Sequence, residues 1–257
     1  MAYRVCAWNN PPHKVPGALK HVSIGEAGVY GLGVATTGLY YRGWCGSTWT
    51  HVPGTEVLRL TQFDVGKNVI MGTNGGGAIW YSTVSASQPD VTSWSKTGGG
   101  LHHVSVSQKG HAWGCIAGAV YHLRGASLDN PGGYGWQVVS GGGYVQVSIG
   151  TGGLWGVTST KKISYRVGTY GDPDSDTHGS DWENVESLGT SPQYVSSGDV
   201  IYMTDTNGVI YYRVGTSAET PTGTAWQKIG GNLKQVEALS GTFWGVDAEN
   251  NVYTNEA

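Results

Sequence analysis

Aromatic and arginine side chains recur along the chain in a repeating order, and together they could hold a ligand. The tyrosines are Tyr41, Tyr81, Tyr165 and Tyr212, the arginines are Arg42, Arg124, Arg166 and Arg213, and the tryptophans are Trp49, Trp94, Trp136, Trp182 and Trp226. An aromatic ring offers a flat apolar plate, and a guanidinium offers several hydrogen-bond donors. These residues are candidate contacts for a ligand that is part apolar and part polar. The alternatives are aromatic packing and arginines that tie a strand to a loop.

The acidic segment 172–183 is a candidate metal site. Its oxygen-bearing residues at positions 1, 3, 5, 9 and 12 match the spacing of a calcium loop, and they are Asp172, Asp174, Asp176, Ser180 and Glu183. Thr177 stands where such a loop needs glycine for a sharp turn, and no flanking helices are expected. The segment therefore predicts either a calcium site or a solvated acidic insertion, and we expect no other cofactor.

The sequence favours a binding protein over an enzyme. It contains no G-x-S-x-G motif, no P-loop and no H-E-x-x-H motif. His102 and His103 are adjacent on a predicted strand, so they point to opposite faces and cannot clamp one ion from one side. A glycosidase that gathers its carboxylates from separate parts of the chain is the enzymatic alternative.

The composition predicts an all-β protein. Glycine supplies 43 of the 257 residues, only 13% of the chain is charged, and 11 Trp and 15 Tyr stand beside two Phe. Strong helix formers are scarce, which argues against a helical bundle. The net charge of −3 and the lack of a basic run argue against nucleic acid or a membrane surface as a partner.

Cysteine usage and the N-terminal residues predict where the chain is made. Cys6, Cys45 and Cys115 form an odd set without C-x-x-C spacing, so we expect buried free thiols. The N-terminal segment has no apolar core of a secretory signal. We therefore expect a cytoplasmic protein, which leaves open later release from the cell.

An internal repeat predicts the architecture. An aromatic or aliphatic anchor, often followed by glycine, recurs at positions 30, 70, 113, 155, 201 and 244, at intervals of about 43 residues. Around each anchor lie an alternating strand, a second aromatic strand and, in five of the repeats, a tryptophan-led fourth strand. This pattern predicts a single domain over residues 1–257, a six-bladed β-propeller of four-stranded antiparallel blades.

The two ends of the chain complement each other. The sixth repeat stops at Ala257 without a tryptophan-led strand, whereas the segment His13–Gly17 is similar to the fourth strand of the first repeat, Thr50–Gly54. We therefore expect the N-terminal strand to complete the last blade and so remove an open sheet edge. Either Trp8 or Pro12 takes the tryptophan position, depending on the register.

The repeated motifs resemble those of the tectonin family, and the resemblance covers essentially the whole chain. It is carried by Leu101–Ser105, Trp155-Gly156-Val157, Ile210–Arg213 and Pro221–Trp226. The second and fifth repeats depart from the pattern, with Ile70-Met71-Gly72 and Ile201-Tyr202-Met203 in place of W-G-V.

The resemblance implies a carbohydrate-binding protein. Its ligands would be glycans on microbial or other foreign cells, such as N-acetylglucosamine-bearing or O-methylated sugars, bound at several repeat-derived sites in a defence or agglutinin role. Several weak sites on one rigid ring would gain avidity on a glycan-coated surface. A propeller that binds proteins without affinity for sugar is the alternative function. A homo-oligomer is compatible with either function.

Overall fold

A computed structural model describes residues 10–256 except 37, 45, 92, 175 and 176, and for Ser140 it describes the backbone only. The described chain folds into β-strands and one short 3-10 helix, Glu56–Leu58. The strands are β1 His13–Gly25, β2 Gly28–Gly33, β3 Leu39–Arg42, β4 Thr50–His51, β5 Leu60–Val65, β6 Val69–Asn74, β7 Ile79–Thr83, β8 Ser95–Lys96, β9 His103–Val106, β10 Ala112–Ile116, β11 Gly118–Leu123, β12 Trp136–Gly150, β13 Gly153–Thr158, β14 Ile163–Arg166, β15 Trp182–Val185, β16 Pro192–Ser197, β17 Ile201–Asp205, β18 Ile210–Val214, β19 Ala225–Ile229, β20 Gln235–Leu239, β21 Thr242–Val246 and β22 Asn251–Thr254. The all-β prediction is confirmed, and no helix among these residues is long and apolar enough to cross a bilayer.

The strands pair antiparallel in groups of four. Two four-stranded sheets have the orders β5-β6-β7-β8 and β16-β17-β18-β19, and two seven-stranded sheets have the orders β20-β21-β22-β1-β2-β3-β4 and β15-β14-β13-β12-β11-β10-β9. In each larger sheet one long strand, β1 or β12, is shared by two groups. We number the groups in chain order as units: unit 1 is the C-terminal part of β1 with β2–β4, and unit 2 is β5–β8. Unit 3 is β9–β11 with the N-terminal part of β12, unit 4 is the C-terminal part of β12 with β13–β15, unit 5 is β16–β19, and unit 6 is β20–β22 with the N-terminal part of β1.

The hydrophobic core lies between consecutive units. One cluster joins Tyr30 and Leu32 of unit 1 to Phe63 of unit 2, and the other clusters likewise combine neighbouring units. Second strands such as β2 and β21 are buried on both faces, so their sequences are apolar at almost every position. Gly114 shows why this strand needs a small residue, since a Cβ atom there would lie 2.5 Å from the carbonyl oxygen of His103.

The first strands of the six units contact one another in sequence, and that of unit 6 contacts that of unit 1. One position on each first strand carries a side chain that reaches the neighbouring unit. We call this set the axial ring, and its members are Ser23, Asp64, Ser105, Ser148, Ser196 and Glu237. Asp64 accepts hydrogen bonds from Ser23 Oγ at 2.6 Å, Ser105 Oγ at 2.9 Å and the backbone N–H groups of Val65 and Val106. One carboxylate thereby joins three units.

Glutamines two residues before alternate members of the axial ring clamp the next first strand. The Gln62 amide bonds both backbone groups of Val104 at 2.9 Å. Gln146 bonds Val195 in the same way, and Gln235 bonds Val22 across the junction between units 6 and 1. The same position in the other three units carries His21, His103 and Tyr194, whose rings approach one another, with the His103 and Tyr194 centroids 5.9 Å apart.

Burial controls the ionisation of this central region. It raises the pKa of the Asp64 carboxyl and, together with the nearby Asp64 charge, raises that of Glu237 well above its ordinary value. Burial lowers the pKa of His103 to about 3, and the charge of His21 contributes in the same direction. His103 is 8% exposed, and neither ring nitrogen has a hydrogen-bond partner among the described residues. As expected for adjacent strand residues, His102 is exposed.

Strand register corrects the repeat alignment by one residue in two units. The residues equivalent to Trp113, Trp155 and Trp244 are Met71, which pairs with Tyr81, and Tyr202, which pairs with Tyr212. The predicted anchors Ile70 and Ile201 were therefore wrong. The period alone could not fix the register, because these second strands are apolar on both faces.

The register also decides between Trp8 and Pro12. In unit 4, Glu183 directly follows Trp182 and pairs with Tyr165 of the third strand. In unit 6, His13 pairs with Thr254 at the equivalent place, so the preceding residue, Pro12, takes the tryptophan position. Trp8 lies outside the described residues, as do Cys6 and Cys45. Cys115 is a buried free thiol whose pKa is raised to about 12 by burial, in agreement with the prediction for that cysteine.

Candidate functional site

Aromatic side chains gather where the fourth strand of one unit packs against the second strand of the preceding unit. We call these places rim clefts and name each by its two units. Trp49 lies against Trp244 in cleft 6/1, with ring centroids 6.1 Å apart, and Trp226 lies at the same distance from Trp155 in cleft 4/5. Trp94, Trp136 and Trp182 occupy clefts 1/2, 2/3 and 3/4, within clusters that contain Tyr30, Met71 and Trp113, respectively. The repeated tryptophans therefore all join two units.

Arginine guanidinium groups stack on indole rings in three of the described clefts. Arg42 lies over Trp244 at 5.3 Å, Arg166 over Trp182 at 5.6 Å and Arg213 over Trp226 at 5.2 Å. The three arginines also bond carbonyl oxygens of the loop between the third and fourth strands, which are those of Ser47, His178 and Thr222. Burial lowers the pKa of each guanidinium, while a carboxylate near each one, Glu256, Asp181 or Glu186, opposes that shift. The arginines thus have the strand-to-loop role that was one of their two expected roles.

Clefts 1/2 and 2/3 have other residues at the arginine position. In cleft 1/2 this residue is Ser82, which donates a hydrogen bond to the carbonyl of Ser93, and Lys96 of the same unit lies over Trp80 at 5.0 Å. In cleft 2/3 it is Leu123, which pairs with Trp136. Arg124 is one residue further on and is exposed, so it does not lie at the position of the other arginines. The sequence had placed it there because the motif is offset by one residue in unit 3.

The four candidate tyrosines lie beside the arginine position on the third strand. The Tyr41 hydroxyl donates to the carbonyl of Ala27, and that of Tyr212 donates to Gln227 Oε1. The Tyr165 hydroxyl accepts from the N–H of Tyr170 at 3.0 Å. Tyr165 and Tyr212 are buried, whereas Tyr41 and Tyr81 are half-buried. The more accessible tyrosines are therefore in units 1 and 2.

Access differs among the clefts that contain arginine. In cleft 6/1, Arg42, Trp44 and Trp49 are all half-buried, and the two indoles donate to the carbonyls of Glu26 and Pro16. In cleft 3/4, Arg166 is buried, while Trp182 is half-buried and stacks on Tyr144 with centroids 4.2 Å apart. In cleft 4/5, Trp226 is buried and Arg213 is half-buried. Of these three clefts, cleft 6/1 thus presents the largest set of accessible aromatic and guanidinium groups. Trp44 was not predicted as a site residue, because it stands outside the repeated motifs.

The acidic segment binds unit 3 of its own chain. Asp172 is buried, and its Oδ1 lies 2.8 Å from His111 Nδ1, while Lys109 Nζ donates to the carbonyls of Gly171 and Asp172. Asp174 and Glu183 are exposed, Asp176 lies outside the described residues, and the described residues contain no group of three or more metal-ligating side chains that could hold an ion. Among the described residues the predicted calcium donors form no such group, and one oxygen of Asp172 is bonded to histidine.

The same segment reaches a histidine that the sequence analysis did not single out. The His178 ring lies 4.6 Å from that of His122, which in turn packs at 4.6 Å on Trp113. Burial lowers the pKa of His122 to about 3, and the charge of His178 adds to that effect. His122 occupies the place of the third-strand tyrosine in unit 3. The exchange of tyrosine for histidine at a repeated position was the available signal.

Two cavities limit where a ligand fits. The cavity at the axis, beside Asp64, Ser148 and Glu237, has a volume of about 30 Å³, which is room for one or two water molecules. A shallow pocket of about 300 Å³ lies on the surface of unit 4, beside Lys162, Asn184 and Glu186. The axial cavity is therefore too small for a sugar ring.

The fold is that of known β-propellers. The chain superposes on the β-propeller domain of Cps50 (Swd1) from Myceliophteria thermophila with a TM-score of 0.60 and 7% identity, over 96% of this chain and 99% of that one. Prp20p from Saccharomyces cerevisiae matches with a TM-score of 0.58 and 10% identity, over 93% of this chain and 70% of that one. YCF48 from Cyanidioschyzon merolae matches with a TM-score of 0.56 and 13% identity, over 91% and 80% of the two chains.

Sequence comparison assigns the family. A segment of 108 residues is 34% identical to the Perivitellin-2 31 kDa subunit of Pomacea maculata, and it makes up 42% of this chain and 36% of that subunit. The match thus spans about a third of that relative. The family model of the tectonin domain matches residues 3–141 and 37–248, which together cover nearly the whole chain. The protein therefore belongs to the tectonin family.

Proposed function

We propose that the protein is a non-enzymatic lectin that binds glycans in its rim clefts. The observation that carries the proposal is the pairing of a guanidinium with an indole ring in clefts 6/1, 3/4 and 4/5. Membership of the tectonin family supports it. Glycans of microbial or other foreign cell surfaces, including O-methylated and N-acetylglucosamine-bearing ones, are the ligand class that we assign.

We also infer that units 1–6 are the six blades of one propeller that is closed by its N-terminal strand. Two observations support this inference. The residues His13–Val15 pair with Val252–Thr254 of the last strand, and the first strands contact one another all the way round from unit 1 to unit 6. Such closure covers the open edge of β22 and places the rim clefts on a rigid ring.

The chemistry of cleft 6/1 suits a sugar. A sugar ring has a C–H face that packs on an indole and hydroxyl groups that accept from a guanidinium. Trp44 and Trp49 are held in place by their indole hydrogen bonds, and Arg42 is held by Ser47 and the Trp244 ring. The cleft is thus organised before a ligand arrives, which lowers the entropic cost of binding.

The buried carboxyls argue for binding without catalysis. A glycosidase needs two carboxyl groups beside the sugar. Asp64 and Glu237 are instead bonded within the axial ring, next to a cavity of about 30 Å³ that is too small for a sugar. These two buried carboxyls are therefore not placed to act as the acid and base of glycan hydrolysis.

A glycan array followed by calorimetry tests the function. On the array we expect selective binding. By calorimetry we expect an Arg42→Met and Trp49→Ala double variant to bind the selected glycan at cleft 6/1 with at least tenfold lower affinity. Lys96→Met is the matched control, because it removes a cation over an indole that lies outside the arginine-bearing clefts. A blank array would refute the lectin proposal and favour a protein-binding propeller. Full binding by the double variant would move the site away from cleft 6/1.

A further inference from the structure

The fourth strands form the outer edges of the sheets, and one position on each edge is equivalent in all six units. Each of these residues pairs with the third-strand residue that directly precedes the tyrosine position. They are Lys14, His51, Lys96, Val138, Asn184 and Lys228. An exposed edge offers unpaired backbone N–H and C=O groups to any extended chain, and lysine at the edge is a common protection against such pairing. Five units carry a charged or polar side chain at this edge position.

Unit 3 lacks this protection. Its edge residue is Val138, which is 61% exposed, and Tyr134 in the preceding turn is 76% exposed. The edge segment Trp136–Val139 contains no charged residue. Among the described strands it pairs with β11 alone, because β13 begins its pairing with β12 only at Tyr144. Unit 3 therefore presents a free, uncharged sheet edge with an apolar residue at the edge position.

We propose that the edge segment Trp136–Val139 of unit 3 binds the same segment of a second copy of this chain. Antiparallel pairing of one segment with itself is satisfied by a two-fold axis, which gives a closed dimer. Each copy brings Val138 to the contact, so no charge loses its water. Pairing with another edge of the second copy would in most cases bring a lysine against this apolar surface, and pairing between two lysine edges would bring like charges together.

The area that the edge segment would bury indicates the affinity of the dimer. Four edge residues and one flanking tyrosine bury less area than a standard stable interface, so the dimer belongs with weak, transient associations. The dimer would join two rings and double the number of rim clefts in one particle. This inference does not depend on what the clefts bind.

Sedimentation velocity between about 5 and 500 µM tests the dimer, a range that covers weak association. We expect the wild-type sedimentation coefficient to rise with concentration towards that of a dimer. Val138→Lys should stay monomeric throughout. Asn184→Lys is the matched control, because it places the same charge at the same position of unit 4, and it should dimerise like the wild type.

A reciprocal variant separates edge pairing from a general effect of charge. Lys228→Val removes the edge charge of unit 5 and should produce species larger than a dimer. A wild type that stays monomeric over the whole range, including one that pairs only with strands of other proteins, would overturn the proposal. Equal dimerisation of Val138→Lys and the wild type would do the same, provided that circular dichroism shows both to be folded.

Discussion

The axial ring and the rim clefts recur in the same units, yet the residue types vary more from unit to unit in the rim clefts than in the axial ring. Members of the axial ring are serine, aspartate or glutamate, and each side chain has a bonded neighbour in another unit or on its own strand. The rim clefts carry arginine, serine, leucine or asparagine at one position, and tryptophan or proline at another. The axis is constrained because a buried polar group must be paired. The rim is partly wet, so its residues can diverge from unit to unit and give each cleft a different chemistry.

The largest effect is expected at the axis. Asp64→Ala leaves three donors of units 1 and 3 without their acceptor, while the Val65 N–H keeps its hydrogen bond to Ser23 Oγ. Unpaired buried donors cost about 1–3 kcal/mol each, so we expect a loss of about 5 kcal/mol in the free energy of unfolding. Chemical denaturation measures it. Ser148→Ala is the control, since the Ser148 hydroxyl accepts one hydrogen bond from Ser197, and it should cost about 1 kcal/mol. Similar losses for the two variants would show that the carboxylate does not join the units.

The second-largest effect on stability is expected in the rim clefts, where two tryptophans differ in burial. Trp226 is 4% exposed, so Trp226→Ala creates a cavity between units 4 and 5 and should cost about 3 kcal/mol. Trp49→Ala should cost less than half of that, because Trp49 is half-buried. Thermal unfolding of both variants compares them. An equal loss would mean that accessibility does not separate packing tryptophans from those available to a ligand.

The repeat period and its aromatic landmarks were sufficient to predict the all-β units and the positions of Trp49, Trp94, Trp136, Trp182 and Trp226. Side-chain roles were less predictable. Asp64 and Glu237 stand where other units have serine, and only the three-dimensional contact shows that they join neighbouring first strands. The offset of Arg124 and the one-residue error at Ile70 have one cause, since register depends on pairing across the sheet.

The acidic segment shows the same limit. Its calcium-like spacing is a local property, whereas the bond between Asp172 and His111 joins residues 61 positions apart in different units. Spacing within a loop cannot reveal a partner that the fold brings from elsewhere. Repeated positions were informative because six copies could be compared, and the segment occurs once.

A third prediction concerns pH and again separates the axis from the exposed surface. His103 titrates near 6.5 when unfolded and at about 3 when folded, so its contribution to stability is complete above pH 6.5 and is lost as the pH falls towards 3. Asp64 and Glu237 act in the opposite direction, because their raised pKa values favour the folded state at low pH. His103→Gln should therefore reduce the loss of stability between pH 7.5 and pH 5 by about 2 kcal/mol. Denaturation at the two pH values measures it. The exposed neighbour His102→Gln should leave the loss unchanged, and equal effects of the two variants would contradict a role of burial.

The smallest effect on stability is expected where we expect the largest effect on binding. Arg42→Met removes one hydrogen bond and one stacked guanidinium in a half-buried cleft, so it should cost about 1 kcal/mol of stability or less. Its loss of glycan affinity should be at least tenfold, because the donors that face the sugar hydroxyls disappear. Arg213→Met in cleft 4/5 should weaken binding less, since the indole beneath that guanidinium is buried. Calorimetry on the two variants ranks the clefts. If Arg213→Met were the more damaging change, a ligand would have to open the packed cleft, and the division between a rigid axis and an accessible rim would fail at that unit.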